Sequence, residues 1–378
     1  MSTTLDTDYI ETIVIGGGQA GLAAGYHLKQ RGRPFLILDG GARIGDSWRE
    51  RWDSLRLFTP AFFSKLPGMP LPAPRLSFPT KDEMGDYLER YAEHFQLPVR
   101  SGICVHRVER TGDRYLVSAG ELRLEASNVI VATGAHRIPK FPSFAAQLDP
   151  RILQLHSSEY RNPEQLLDGD TLLVGAGNSG AEIAFELADT RHCLLAGPST
   201  GEIPAPHGTL RSLLGFRVFR FIAHRVIRVD TRIGRKLGPK LLQKGDPLIR
   251  RRKKDLGEKG VERLPRVVGV EGGLPLLEDG RVVDVANVVW CTGFRTDFSW
   301  IDLPVFEDDG QPRHYRGVVD SEPGLYFLGL VFQYSLSSDV LPGRSRDAGY
   351  TAKHIAERMT ARAPAPRTEL ELGVEPAS

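Results

Sequence analysis

The sequence predicts an α/β fold made of two Rossmann-like dinucleotide-binding domains, the second inserted into the first. Three observations carry that prediction. The hexapeptide Gly16-Gly17-Gly18-Gln19-Ala20-Gly21 follows the apolar run Thr12-Ile13-Val14-Ile15 and opens the helical pattern Leu22-Ala23-Ala24-Gly25. Gly175-Ala176-Gly177-Asn178-Ser179-Gly180 repeats this context after Leu172-Leu173-Val174 and before Ala181-Glu182-Ile183-Ala184. An apolar run ending in small residues also occurs twice, as Val131-Ala132-Thr133-Gly134 and Trp290-Cys291-Thr292-Gly293. Between a strand and a helix, G-x-G-x-x-G lets the backbone turn tightly and approach a pyrophosphate, which rests on the positive end of the helix.

The chain of 378 residues is long enough for two cores, and 41% apolar with 25% charged residues is an ordinary globular composition. Its first residues are polar and acidic, unlike a secretory signal, and no apolar run approaches the roughly 20 residues of a membrane span. Cys104, Cys193 and Cys291 form no C-x-x-C pair. That pattern predicts a reducing, cytoplasmic setting and speaks against a reductase relaying electrons through paired thiols; each cysteine reads as structural.

Taken in order, the first unit reads as a strand over 11–15, a helix from Gly18 to about Arg31 and a strand over 34–38. Asp39 ends that second strand, about 20 residues beyond the glycines, where this fold holds a ribose hydroxyl. An acid there disfavours a 2′-phosphate, so FAD or NAD is expected at this first loop. Residues 40–79 are irregular and rich in Pro, Phe and Trp, and a long aperiodic stretch inside a compact domain usually serves function. Thr80 and Glu83 then form a capping box for a helix with Met84, Tyr87, Leu88 and Tyr91 as its apolar stripe. Strands follow over 103–109, 115–118 and 128–134.

The second unit begins near Asp170, with a helix to about Asp189 and a strand over 193–196. Another strand lies over 287–293, after which come a run over 325–330 and a helix near 348–359. The expected division is 1–163 plus 288–378 for the first domain and 164–287 for the second, with 363–378 a disordered Pro- and Glu-rich tail.

A basic insertion at about 209–254 carries 15 Lys or Arg against only Asp230 and Asp246. Phe219, Ile222, Ala223, Val226 and Val229 have helical spacing, with Arg217, Arg220, His224 and Arg228 opposite. The favoured reading is a solvated cap whose apolar side packs inward. A membrane-surface or acidic-partner contact is the alternative. No nucleic-acid module accompanies the charge.

The glycine loops, Gly45-x-x-Trp48, Ala132-Thr133-Gly134, His156-Ser157-Ser158-Glu159-Tyr160, Cys291-Thr292-Gly293 and the run over 324–330 come in one order. In that order the chain resembles class B flavin-dependent monooxygenases. Within them it is similar to the flavin-containing monooxygenases, including plant auxin-forming and small bacterial members. The resemblance spans nearly the whole chain except the tail. It implies FAD reduced by NADPH or NADH, reaction with O2 to a C4a-(hydro)peroxyflavin, and oxygenation of a small amine, sulfide, carbonyl compound or 2-oxo acid.

By the same resemblance, Gly16, Gly18, Gln19, Ala20 and Gly21 would face the FAD pyrophosphate and Asp39 the adenosine ribose. Gly45, Ser47 and Trp48 would border the flavin, Val105 would meet the adenine, and Ala132, Thr133 and Gly134 would close the domain beneath FAD. Gly329 and Leu330 stand where many flavoproteins have Gly-Asp, so a backbone contact near Leu330 and Gln333 is expected instead. Gly175, Gly177, Asn178, Ser179 and Gly180, with Ser199, Thr200, Cys291, Thr292 and Gly293, would hold the nicotinamide dinucleotide.

Three departures matter. The linker fingerprint around His156 lacks its front half, since Pro150 and Ile152 stand at its Phe and Gly positions. Pro198 stands where NADPH-using members carry an arginine for the 2′-phosphate, so comparable use of NADH and NADPH is expected. Near the flavin, Thr59 and Pro60 replace an Asn that mammalian-type members use to stabilise the oxygenated flavin, so uncoupling to H2O2 is expected. An NAD(P)H oxidase or flavin reductase is therefore the alternative enzyme, and a redox-sensing flavoprotein the alternative outside enzymes. No metal site is expected; the flavin would carry the chemistry, with Thr59, Pro60 and Gln333 near it, and the sequence assigns no catalytic side chain. Partners are a small-molecule substrate and O2, and a homodimer is compatible with the sequence.

Overall fold

A computed structural model describes residues 8–134, 138–204, 206–243, 246–338 and 340–362; the expected tail lies outside them. The first unit is built on Asp8–Ile15, which pairs in parallel with Phe35–Leu38 on one side and with Leu122–Val131 on the other. Alternate residues of this strand feed two cores. Ile13 and Ile15 pack with Leu36, Val129 and Phe327 on one face. Val14 packs with Leu22, Ala24, Ile37, Ala348 and Ile355 on the other. Burial on both faces is why these strands read as unbroken apolar runs. The outer strands Arg107–Thr111 and Arg114–Ala119 extend the sheet antiparallel, and Leu325–Phe327 pairs with the end of Leu122–Val131.

The second sheet is all parallel, in the order Glu262–Leu264, Cys193–Ala196, Thr171–Val174, Asn287–Trp290, Leu153–His156. This corrects the expected boundaries at 163/164 and 287/288, because both Leu153–His156 and Asn287–Trp290 belong to the second sheet. The chain crosses between the units on a strap, where Ile138–Pro139 going out pairs antiparallel with Phe294–Arg295 coming back. Composition does not mark that crossing, because a two-residue strand carries no periodicity.

The helix Lys81–His94 has the expected capping box: Thr80 Oγ1 accepts from Glu83 N at 3.1 Å and Glu83 Oε2 accepts from Thr80 N at 2.7 Å. Its stripe does more than fill the core. Tyr87 accepts from Leu66 N and donates to Met69 O, and Tyr91 donates to Pro67 O, which pins the aperiodic stretch to the helix. Two expectations shift. Residues 103–106 are not strand; they run beside the end of Phe35–Leu38, with Ile103 N donating to Asp39 O at 2.8 Å and Gly102 N to Gly41 O at 2.7 Å. The last helix runs over Leu341–Arg362, earlier than expected. Pro342 is tolerated there because first-turn N–H groups have no intrahelical partner.

The basic insertion departs most from expectation. Its α-helix ends at Phe221 and passes into one π turn over Ile222–Val226. Of the expected inward stripe only Ala223 is buried, while Phe219 and Ile222 are 52% and 39% exposed. A π turn shifts the register, so residues on either side of it cannot share one 3.6-residue stripe. The segment instead clasps the first unit. Val229 N donates to Tyr334 O at 2.8 Å, Leu336 N to Ile227 O at 3.0 Å, and Tyr334 OH to Asp230 Oδ2 at 3.2 Å. Arg316 is sandwiched between the rings of Tyr334 and Tyr350, at 3.8 and 3.7 Å. A further helix, Arg232–Gln243, approaches closely through Gly238, where an added Cβ would lie 2.6 Å from the Phe332 ring.

At the clasp, His224 Nδ1 lies 3.1 Å from both Ser337 Oγ and Arg346 Nη1. Burial first, then the charges of Arg346, Arg220 and Arg225 against that of Asp347, lower its pKa from an ordinary 6.5 to about 4. The unfolded chain therefore takes up this proton before the folded one does. Stability is expected to fall as pH drops from 6.5 towards 4, and His224→Gln should flatten the dependence of Tm on pH across that window.

Candidate functional site

The two glycine loops fold alike, and their chemistry follows from the backbone. Gly16 and Gly175 sit at φ +111° and +114°, which only glycine adopts readily. An added Cβ at Gly16 would lie 2.5 Å from Ala132 O, and one at Gly175 would overlap Cys291 O. The paired small-residue runs are thus structural counterparts: each brings a carbonyl against the first glycine of a loop. Gly21 and Gly180 do the same job one turn on, since a Cβ at either would overlap the carbonyl of Gly16 or Gly175. Gly18 and Gly177 differ. Both have φ values open to any residue, and an added Cβ there would meet nothing within 4 Å. These middle glycines border open space at the start of the helices Gln19–Lys29 and Asn178–Leu187. Neither helix has a side-chain cap or an acid in its first turn. Each therefore presents uncapped N–H groups and a positive dipole end, the donor set a phosphate fits.

Around the first cradle, Asp39 Oδ1 accepts from Gly41 N at 3.3 Å, and Oδ2 lies beside Gly17. Burial pushes its carboxyl above the usual range, opposed by the amides of Gly41, Gly17 and Gly40. Val105 is buried in the adjoining core. Gly45, at φ +93°, caps the short helix Asp46–Arg49, where Ser47 is exposed and Trp48 packs partly buried against the first core. Thr133 and Gly134 are half-buried at the end of their strand.

Gln333 brings a correction. Its buried Oε1 already accepts from the amides of Gly329 and Leu330, at 2.9 and 3.3 Å, and its Nε2 donates to Arg316 O. The backbone donors expected near Leu330 and Gln333 are engaged within the chain. The cation that sequence reasoning missed is Arg344, from the first turn of the last helix. It donates to Gln19 Oε1, and its Nε lies 4.0 Å from the position of a Cβ on Gly329, which itself packs on Ala20. No spacing rule links residues 19 and 344; only the packing of the first and last helices does.

In the second cradle Asn178 turns away from the loop, accepting from Ile249 N and donating to Pro247 O. Ser179 is half-buried in the helix's first turn. Ser199 Oγ accepts from Gly201 N, whereas Thr200 Oγ1 is buried with no partner among the described residues. Beside them, Arg263 Nη2 donates to Gly197 O at 2.8 Å, and Gly197 lies against Ala176 of the loop. Thr292 Oγ1 donates to Lys140 O, so it braces the strap between the units. His156, fully buried, does likewise: Nδ1 meets Ser158 Oγ at 2.8 Å and Nε2 meets Gly293 O at 3.0 Å. Burial lowers its pKa, so it is neutral at neutral pH.

The irregular stretch forms a wall between the units. Trp52 inserts into the second core, Asp53 N donates to Arg161 O, and His207 Nε2 meets Phe58 O at 2.9 Å. Phe63 packs edge-on against Phe216, with Arg220 over its ring. Thr59 Oγ1 and Ser64 Oγ bond to each other at 2.7 Å, and the Pro60 carbonyl accepts from Ser64 Oγ. No group of three or more His, Cys, Asp or Glu among the described residues could hold a metal ion, and no described helix is long and apolar enough to cross a membrane.

Comparison with known proteins agrees with this geometry. Residues 13–195 match the model of the pyridine nucleotide-disulphide oxidoreductase family. An uncharacterized CzcO-like oxidoreductase of Geobacillus kaustophilus is 40% identical, over 92% of this chain and 98% of its own. The probable indole-3-pyruvate monooxygenase YUCCA3 of Arabidopsis thaliana is 27% identical over 92% of this chain and 86% of its own. Among solved structures, a flavin-containing monooxygenase from Stenotrophomonas maltophilia superposes with a TM-score of 0.74 at 29% identity, covering 93% of this chain and all of that one. With two cradles of one geometry in an α/β frame, the chain belongs to the CzcO-like oxidoreductases and is a flavin-dependent oxidoreductase like the class B flavin-dependent monooxygenases.

Proposed function

We propose that the protein is an FAD-dependent monooxygenase that uses NAD(P)H and O2 to oxygenate a small amine, sulfide, carbonyl compound or 2-oxo acid. The observation that carries this reading is the pair of uncapped helix N-termini, each bordered by a glycine whose Cβ position is open space. FAD would lie on the first, with Asp39 on its ribose and Arg344 near its phosphates. The nicotinamide dinucleotide would lie on the second, with Thr200 Oγ1 as a spare hydroxyl. Bound FAD supplies electron transfer from NAD(P)H to O2. The chain's own work is to hold both dinucleotides and to keep water from the space between them. Phe62, Phe63 and Phe216 supply an apolar wall for that purpose.

A second reading, an NAD(P)H oxidase that releases H2O2, is favoured by one observation. Thr59 and Ser64 satisfy each other, and Pro60 has no amide to offer. Turnover under 18O2 with amines, sulfides, ketones and 2-oxo acids separates the two. Monooxygenase activity puts one labelled atom into a product for each NAD(P)H consumed. Peroxide as the sole fate of oxygen with every compound would overturn the proposal in favour of the oxidase.

The middle glycines allow occupancy to be tested apart from folding. Gly18→Ala is expected to keep the wild-type Tm yet purify without flavin, because its methyl group fills ligand space only. Gly177→Ala is expected to stay yellow while the KM for NAD(P)H rises at least about tenfold, equivalent to about 1.4 kcal/mol of lost contact. Equal loss of Tm in both variants would show that the open space is structural.

Coenzyme choice rests on Arg263. Pro198 removes the usual cation, yet Arg263 reaches the same loop from the neighbouring strand, with no acidic partner among the described residues. One charge-assisted hydrogen bond is worth about 1.5–3 kcal/mol. Arg263→Ala is therefore expected to raise the KM for NADPH by about tenfold or more and to leave that for NADH nearly unchanged. Equal effects on both coenzymes would remove Arg263 from recognition of the 2′-phosphate.

A further inference from the structure

The helix Leu210–Phe221 has two unlike faces. Phe216 and Arg220 look towards Phe63 and the wall between the units. Leu214, Val218 and Phe221, spaced i, i+4 and i+7, share one other face. They are 55%, 60% and 63% exposed. Arg211 and Arg217 flank the row, both exposed, and the helix contains no acid. The neighbouring helix Arg232–Gln243 repeats the pattern. It packs inward through Gly234 and Gly238 and leaves Ile233 and Leu237 exposed between Arg232, Arg235 and Lys236. Exposed apolar side chains rimmed by polar ones mark a docking surface rather than a solvated cap.

We propose that this face docks onto an anionic lipid bilayer surface. The charge argues for it: the insertion holds 15 basic residues against two acids, and Asp230 is already engaged by Arg228 and Tyr334. The size of the row argues in the same direction. A stable protein interface needs roughly 800 Å² per partner, supplied by about 20–30 residues. A single row of large side chains is far smaller, and suits a helix that lies in the headgroup region with its apolar face inserted about 5–10 Å. Arginines on both sides of the row can bury their stems and keep their guanidinium groups among lipid phosphates. The clasp made by residues 227–230 with residues 334–336 holds this face in a fixed relation to the first unit. The surface does not depend on which substrate is oxygenated.

The test uses the purified full-length protein with two kinds of vesicle, phosphatidylcholine alone and phosphatidylcholine mixed with phosphatidylglycerol, at low and physiological salt. Co-sedimentation is expected with the anionic vesicles only, weakening as salt rises. The triple variant Leu214→Ser, Val218→Ser, Phe221→Ser should lose at least about tenfold in apparent lipid affinity, and Arg217→Glu at least about fivefold. Both should keep wild-type flavin absorbance and NAD(P)H oxidation, since none of these side chains lines a cradle. The proposal is overturned by absence of lipid-dependent pelleting at low salt, or by pelleting that the triple variant leaves intact. It is equally overturned if light scattering without lipid shows an oligomer that the triple variant dissociates, because the face would then be an interface between copies of this chain. Should the triple variant lose its flavin, Arg211→Glu and Arg217→Glu, which change no apolar contact, decide between these outcomes.

Discussion

The contact between a carbonyl and a glycine that cannot carry a side chain organises this molecule. Ala132 O against Gly16 and Cys291 O against Gly175 set how near the strands Leu122–Val131 and Asn287–Trp290 lie to the two loops. The loop in turn sets where the helix begins, and the helix's first amides define the cradle. Any Cβ at Gly16 or Gly175 would force strand, loop and helix apart together, so fold and site are one constraint at these positions. Gly18 and Gly177 carry no such packing duty. A Cβ on either would meet nothing within 4 Å, which leaves the start of each helix open.

The second organising feature is that the two units are joined in three places rather than one. The strap of Ile138–Pro139 with Phe294–Arg295 carries the covalent crossings. The wall around Trp52 and Asp53 ties the first unit's irregular stretch into the second core. The basic insertion returns to Tyr334 and Leu336. Interfaces between domains of one chain commonly allow hinge motion unless they are large and apolar. Here much of the joining is polar: His224, Arg346, Arg316 and Asp230 meet mainly hydroxyls, carbonyls and rings. Such directional contacts fix the insertion against the first unit, as the strap is fixed where His156 is buried and bonded on both ring nitrogens.

What was legible in the sequence follows from the range of the interactions involved. Strand–glycine–helix units, the Thr80 capping box and the position of Asp39 just after Phe35–Leu38 are fixed within a few tens of residues, and all were readable. The boundary error at 163/164 and 287/288 arose because pairing of Leu153–His156 with Asn287–Trp290 spans more than a hundred residues. The inward stripe over 219–229 failed for a local reason: one π turn breaks the period that the spacing argument assumed. Arg344 and Arg263 were invisible because each reaches its cradle from an element with no motif of its own. Gln333 was read as a neighbourhood of backbone donors, whereas a buried amide must satisfy its own oxygen and took the amides of Gly329 and Leu330 to do so.

The cysteines bear on where electrons can go. Proteins of the pyridine nucleotide-disulphide oxidoreductase type share this frame, and residues 13–195 match their model. A dithiol relay needs two sulfurs close together, with at least one of them readily ionised. The three cysteines here form no disulfide. Cys193 lies buried in a central strand of the second sheet, and Cys291 ends the strand whose carbonyl packs on Gly175. Burial pushes both thiols up to about 12, so neither is a thiolate at neutral pH. Cys104 is exposed and sits beside Gly40, at the adenine end expected for the first cradle. With no disulfide among its three cysteines and two of those thiols held protonated by burial, the chain offers no dithiol relay, and a small diffusible acceptor fits the proposed monooxygenase reading.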